Sequence, residues 1–123
     1  MKQLILVDHI TIGDFGFHGY LTEMVDGNIG FGIFVDRLKR PLLWFIQLPN
    51  NRIQLCLDDD LATYIRKKAS ADKAEREHNF RLFLYFVREN ERKAAYMAFK
   101  GKQMEHLTTS KHLVALRKMY LAD

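Results

Sequence analysis

Residues 34–67 decide the fold, and their sequence is FVDRLKRPLLWFIQLPNNRIQLCLDDDLATYIRK. Apolar runs flank a charged loop at residues 36–40, and Arg52–Leu57 then alternates polar with apolar side chains. Such patterns predict β-strands, because successive side chains of a strand point to opposite faces. Three aspartates, Asp58 to Asp60, precede apolar residues at helical spacing. The stretch therefore predicts a β-ribbon with a charged tip, a further strand and a capped helix.

A second stretch, residues 86–118, repeats this layout at an offset of 52 residues that becomes 51 after a deletion near Arg52. Arg40 then falls on Arg92, and Trp44 falls on Tyr96. We interpret residues 80–87 and 93–100 as the strands of a second ribbon, joined by a turn at residues 89–92. A helix capped by Thr109 or Ser110 follows, and its buried stripe is predicted to hold Leu113, Leu116 and Tyr120.

Further apolar runs near the N-terminus predict three more strands, with turns at residues 13–16 and 26–28. Residues 70–78 are rich in Ala, Lys and Glu and are compatible with a helical linker. The prediction is a single α+β domain over residues 1–123 with two helices. Its sheet is mainly antiparallel and curved, and the ribbon–strand–helix unit is duplicated as 34–67 and 86–118.

Composition places the chain among globular proteins, since 48% of its 123 residues are hydrophobic and 28% are charged. The single cysteine, Cys56, excludes an internal disulfide and is typical of a reducing compartment. The apolar run at residues 4–7 is too short for a signal sequence, and no segment approaches the length of a membrane span. A cytoplasmic protein with no membrane partner is expected.

Charge is divided unequally along the chain. Residues 1–64 carry five Lys or Arg against eight Asp or Glu, whereas residues 65–123 carry fourteen against seven. A basic half favours an anionic partner, nucleic acid above all. The alternative is that the excess serves solubility alone.

The two ribbon tips, with the aromatic residues beside them, form the candidate nucleic-acid site. Cations there would follow phosphates, while unpaired bases would stack on rings. Trp44 equally suits a buried core position, because tryptophan in an apolar strand is usually buried. The candidate residues are Arg37, Lys39, Arg40, Trp44, Arg88, Arg92, Lys93, Tyr96, Lys100 and Lys102.

The doubled layout of ribbon, strand and helix resembles that of single-stranded nucleic-acid binders such as the Whirly and PUR proteins. The resemblance is one of layout, because no diagnostic motif of those families is present. It implies a sheet that presents cations and aromatic rings to a single strand.

No catalytic, metal or cofactor site is predicted. The five histidines are scattered, and neither His-x-x-x-His nor Cys-x-x-Cys spacing occurs. Cys56 and His106 fall on equivalent strands of the two copies, but a cysteine in an apolar strand is usually an inert hydrophobic residue.

Two functional hypotheses follow. The first is a non-enzymatic protein that binds single-stranded DNA or RNA through a basic, aromatic sheet face. The second is a protein-interaction module or homodimer without a nucleic-acid role, because the apolar runs at residues 42–48 and 80–87 exceed what a small core needs to bury. A small-ligand pocket between sheet and helices is a third alternative.

Overall fold

The computed structural model describes residues 4–23, 29–36, 38–47, 52–97, 103–104 and 110–121. Five strands form an antiparallel meander in which each strand pairs with the next along the chain. A two-residue strand, β6, lies parallel to β5. The strands are β1 (Leu4–Ile12), β2 (Phe15–Glu23), β3 (Ile29–Val35), β4 (Pro41–Gln47), β5 (Arg52–Leu57) and β6 (Gln103–Met104). The predicted α+β fold with a curved, mainly antiparallel sheet is confirmed.

The first helix, α1 (Asp59–Lys67), forms as its sequence predicts. The Asp58 carboxylate caps it by accepting a hydrogen bond from the Leu61 N–H at 3.0 Å. Two further aspartates occupy the first turn, and Arg66 and Lys67 occupy the last. Negative charge therefore lies at the positive end of the helix dipole and positive charge at its negative end, which stabilises the helix.

The second helix, α2 (Lys73–Met97), overturns the prediction of a second ribbon. The prediction of strands at residues 80–87 and 93–100 is wrong for residues 80–87 and 93–97, because these residues are helical. Residues 98–100 lie outside the described residues. The buried residues recur every three or four positions, which is a helical period, and they are Phe80, Phe83, Phe86, Val87, Asn90 and Ala94. Aromatic and branched residues favoured a strand, but periodicity and core packing decide the outcome.

Residues 86–118 therefore lack the ribbon–strand–helix layout of residues 34–67, and the resemblance to the Whirly and PUR proteins loses its basis. The third helix, α3 (Ser110–Leu121), forms where a final helix was predicted and buries Leu116 and Tyr120. The chain thus has three helices in its described part, where two were expected. None of the described helices is long and apolar enough to cross a membrane.

The helices cover one face of the sheet, and the core lies between them. Phe17, Phe31 and Phe45 point from successive strands toward the helices and are almost fully buried. The ring of Phe17 lies 4.9 Å from that of Phe83 on α2, which in turn lies 5.7 Å from the ring of Tyr120 on α3. Aromatic packing therefore joins sheet, α2 and α3 in one core.

None of the three described helices lies on the opposite face of the sheet, which we call the open sheet face. Strand alternation and pairing place half-buried or exposed side chains on it. On the helix-covered face, the side chains of β3 and β4 are almost fully buried. The remaining side chains of these two strands lie on the open sheet face. Its described members are Leu4, Leu6, His9, Thr11, His18, Tyr20, Thr22, Phe34, Trp44, Gln54 and Cys56.

Two bulges adjust which side chains reach the core. In β1, Leu6 pairs with Tyr20 and Asp8 pairs with Gly19, so Val7 is an extra residue between them. In β4, the pairing shift leaves Leu42 without a partner on β3, and Leu42 is fully buried beside the buried Leu43. A bulge lets two neighbouring residues oppose one residue of the partner strand. Each extra residue is thus absorbed without reversing the faces of its strand.

A close contact between Asn90 and Gly19 helps to fix α2 against the sheet. Asn90 is fully buried and donates from Nδ2 to the Phe86 carbonyl at 2.8 Å. Its Oδ1 makes no hydrogen bond with any described group, and it points at Gly19, where an added Cβ atom would overlap with it. Glycine is required at this position because any side chain would collide with the Asn90 amide.

Candidate nucleic-acid interface

The first predicted tip is the connection between β3 and β4. Lys39 and Arg40 are exposed there, as a ribbon tip predicts, whereas Arg37 lies outside the described residues. The Arg40 guanidinium makes ion pairs with the aspartates that begin α1, at 2.8 Å to Asp58 and 3.8 Å to Asp60. Its charge is therefore largely offset by its own chain.

Trp44 lies on the open sheet face, opposite Gly32 of β3 and Cys56 of β5. It is half-buried and does not belong to the buried core between sheet and helices. Of the two alternatives for this ring, a position outside the helix-covered core is the one observed. Its role in stacking stays a prediction.

Four predicted residues of the second ribbon lie on α2 instead, and they are Arg88, Arg92, Lys93 and Tyr96. Arg88, Arg92 and Tyr96 follow each other at helical spacing on its solvent side. Arg81 and Tyr85 extend the same line toward the N-terminus of the helix. We call these five residues the α2 stripe. Tyr85 is 64% exposed and Tyr96 is 75% exposed, so both rings stand in solvent.

The stripe is straight because its spacing follows the helix. Its members are four, three, four and four residues apart, which keeps them on one narrow side of the helix. At about 1.5 Å of rise per residue, the line from Arg81 to Tyr96 is about 22 Å long. Three guanidinium groups and two phenol rings therefore share one continuous surface.

The described acidic residues of α2 do not belong to the stripe, although Glu89 lies beside it. Arg92 Nη1 contacts Glu89 Oε1 at 2.8 Å, an exposed pair whose arginine side chain is 76% accessible. Such pairs stabilise a protein by at most about 1 kcal/mol, so a stronger anion can displace them. Among the described residues, neither Arg81 nor Arg88 has an acidic partner within 4 Å.

Lys93 does not belong to the stripe. It is half-buried, and its Nζ lies 3.0 Å from Asp8 Oδ2 of β1. Asn90 Nδ2 approaches the same carboxylate at 3.4 Å. Lys93 therefore holds the edge strand against α2 and is not presented to solvent with its neighbours. Lys100 and Lys102 lie outside the described residues.

The predicted residues are thus not assembled on one sheet face. Trp44 lies on the open sheet face, while Arg88, Arg92 and Tyr96 lie on a helix that covers the other face. Sequence reasoning missed Arg81 and Tyr85, because residues 80–87 were interpreted as a strand. The signal that could have found them is the recurrence of Arg or Tyr every three or four residues from 81 to 96.

The described residues give little support to a metal site or to catalysis by Cys56. No three His, Cys, Asp or Glu side chains among the described residues come together as a metal site would require. Cys56 is half-buried on β5, and His106, its predicted neighbour, lies outside the described residues. The individual histidines His9 and His18 stack on each other with ring centroids 6.4 Å apart.

A cavity of about 320 Å³ lies between α1 and α3. Apolar side chains line it together with Asp59, Arg66 and Lys118, which bring charges of both signs. This volume is at the lower end of the range typical of small-molecule sites. The mixed charges of its lining favour no single class of ligand.

A scan of family models and searches of curated proteins and of solved structures find no match to this chain.

Proposed function

We propose that this protein binds single-stranded DNA or RNA through the α2 stripe and catalyses no reaction. The observation that carries the proposal is a line of three arginines and two exposed tyrosines along about 22 Å of one helix. The proposal retains cations beside aromatic rings as the binding groups, but it assigns them to a helix instead of a sheet face.

Each residue type in the stripe has a separate task. Arginine donates several hydrogen bonds in a fixed planar geometry, which suits phosphate oxygens. Tyrosine offers a flat ring on which a base can stack, for about 1–3 kcal/mol per base. The spacing brings Tyr85 between Arg81 and Arg88, so a strand lying along the helix meets charge, ring and charge in turn.

The two exposed rings favour a single strand over a duplex. Stacking on a side chain requires a base that is not already stacked and paired within a helix. A duplex would offer phosphates to the arginines but would leave Tyr85 and Tyr96 without a base to contact. A cytoplasmic location is part of this proposal, since a lone cysteine, Cys56, is typical of proteins in a reducing compartment.

Salt titration of binding to a labelled oligothymidine tests the proposal. Three phosphate contacts, one for each arginine of the stripe, predict a slope of log affinity against log salt of about −2. The double variant Arg81→Ala, Arg88→Ala should flatten the slope to less than about 1 in magnitude, because two contacts are lost. An unlabelled duplex of the same length should compete more weakly than the single strand.

The matched control is Lys67→Ala with Lys73→Ala. It removes the same charge from exposed positions off the stripe and should leave the slope within error of the wild type. Absence of binding at low salt, or an equal loss in both double variants, would contradict the proposal, because the effect would then depend on net charge alone.

A further inference from the structure

The open sheet face is unlike the rest of the molecule in its chemistry. Its described side chains are aliphatic, aromatic, imidazole, hydroxyl, amide or thiol groups, and none is Asp, Glu, Lys or Arg. The charged residues that border it, Asp36, Lys39 and Arg40, lie where β3 ends and β4 begins. The face thus combines low charge with a chain whose net charge is +4.

Aromatic side chains form a continuous row across its strands. The His18 ring lies 6.4 Å from that of His9 on β1 and 6.3 Å from that of Tyr20. Tyr20 meets Phe34 of β3 edge-on at 5.5 Å. Phe34 lies across Gly32, where a Cβ atom would be 3.0 Å from the ring. The rings of His18, Tyr20 and Phe34 are half-buried although none of the described helices covers them, because they pack against one another and against the glycine backbone.

Apolar surface continues to the outer edge of the sheet. Leu4 and Leu6 pair with Thr22 and Tyr20, which places them on the same face, and they are 46% and 51% exposed. Large exposed apolar patches are uncommon on monomeric proteins and usually mark an interface. The patch reaches from β1 through Trp44 on β4 to the polar Gln54 on β5.

We propose that the open sheet face is the interface of a homodimer, in which the two sheets pack face to face. Five strands about 4.8 Å apart and about seven residues long give a face of about 24 by 23 Å. Two such faces bury about 1,100 Å², which is above the threshold of about 1,000 Å² for a specific interface and just below the usual range of about 1,200–2,000 Å². Sheets with apolar side chains pack in this way in β-sandwiches, about 10 Å apart.

A second copy is the occupant that this face fits. Two positively charged chains repel each other, and a face whose described side chains include no Lys or Arg is where they approach at least electrostatic cost. The same patch on both partners gives an isologous contact with closed two-fold symmetry. In this arrangement the α2 stripes lie on the two outer sides of the dimer, because α2 covers the opposite face of each sheet.

The experiment measures mass by sedimentation over a range of concentrations and follows Trp44 fluorescence over the same range. A mass twice the 14.5 kDa of the monomer is expected, with a blue shift of the lone tryptophan at the same midpoint. Leu6→Asp and Gln54→Lys place a charge at opposite borders of the face. Each should weaken dimerisation at least tenfold, and Tyr85→Asp on the α2 stripe should leave it unchanged. Circular dichroism confirms that each variant is folded.

Three results would overturn the proposal. The first is a monomer at all concentrations. The second is a dimer that Gln54→Lys does not weaken and in which Trp44 stays accessible to iodide, which would indicate pairing through the β1 edge. The third is a monomer whose Trp44 fluorescence is quenched by oligothymidine, because the face would then stack bases.

Discussion

The α2 stripe and the open sheet face both present aromatic rings, but they differ in what surrounds the rings. On the stripe, Tyr85 and Tyr96 alternate with arginines and stand more than 60% exposed. On the sheet, Tyr20, Phe34 and Trp44 are half-buried among uncharged neighbours. An exposed ring beside a cation suits a base and its phosphate, whereas rings packed together suit another apolar surface.

This difference teaches that an aromatic residue indicates a function only together with its neighbours. The two ring-bearing surfaces lie on opposite sides of the molecule, one on the solvent side of α2 and the other on the sheet face that α2 does not cover. If the two proposals hold, changes on one surface should leave the other surface unaffected. The predictions below separate the two surfaces or test the layer that they share.

The largest effect is expected from reversing charge on the stripe. Arg81→Glu with Arg88→Glu removes two charge-assisted contacts worth about 1.5–3 kcal/mol each, so affinity for oligothymidine should fall at least about 100-fold. Dimerisation measured by sedimentation should not change. A variant that loses both properties would contradict the separation of the two surfaces.

A glycine substitution tests the layer beneath both surfaces. Gly19→Ala puts a methyl group against the Asn90 amide, so the free energy of unfolding should fall by about 3 kcal/mol in a urea titration. Adding Asn90→Ala removes the collision, and the double variant should be more stable than the sum of the single changes predicts. Strict additivity would show that the two residues do not constrain each other.

A smaller effect is expected from one ring of the stripe. Tyr85→Ala should weaken oligothymidine binding by about 2 kcal/mol, since one stacked base loses its partner. Tyr85→Phe keeps the ring and should bind like the wild type. Equal losses in both variants would mean that the hydroxyl group, and not the ring, makes the contact.

The smallest effect concerns Tyr120, which lies in the core between the two surfaces. Burial raises the pKa of its phenol well above the ordinary value of about 10. The unfolded chain therefore loses this proton first, and stability should fall as pH rises above about 10. Its hydroxyl makes no hydrogen bond in the described chain, so Tyr120→Phe should change stability by less than about 1 kcal/mol. The free energy of unfolding should fall less between pH 9 and pH 11 in this variant than in the wild type, as urea titrations at the two pH values would show.

The sheet and the first helix could be predicted from sequence because local signals agree there. Asp58 caps α1, Asp59 and Asp60 lie in its first turn, and alternating residues define β5. At residues 80–97 the signals conflict, since aromatic residues favour strands while their spacing is helical. The packing of Phe83 between Phe17 and Tyr120 decides in favour of the helix, and these contacts join residues far apart in the chain.

The candidate site was predicted in its chemistry but not in its geometry. Arg88, Arg92 and Tyr96 were identified as residues that suit nucleic acid, and the structure places them together on α2. Their separation from Trp44 follows from the helix, which puts them on the far side of the sheet. The ion pair of Lys93 with Asp8 depends on the docking of α2 against β1, which no local pattern encodes.

The extra residue at Val7 has a consequence for how the chain tolerates changes in length. Leu6 and Asp8 already pair with adjacent residues of β2, so deleting Val7 would leave a regular ladder with every other side chain on its present face. A one-residue deletion elsewhere in β1 would move the side chains of part of the strand to the opposite face of the sheet. This edge strand therefore has one position at which the protein can lose a residue and keep both of its surfaces.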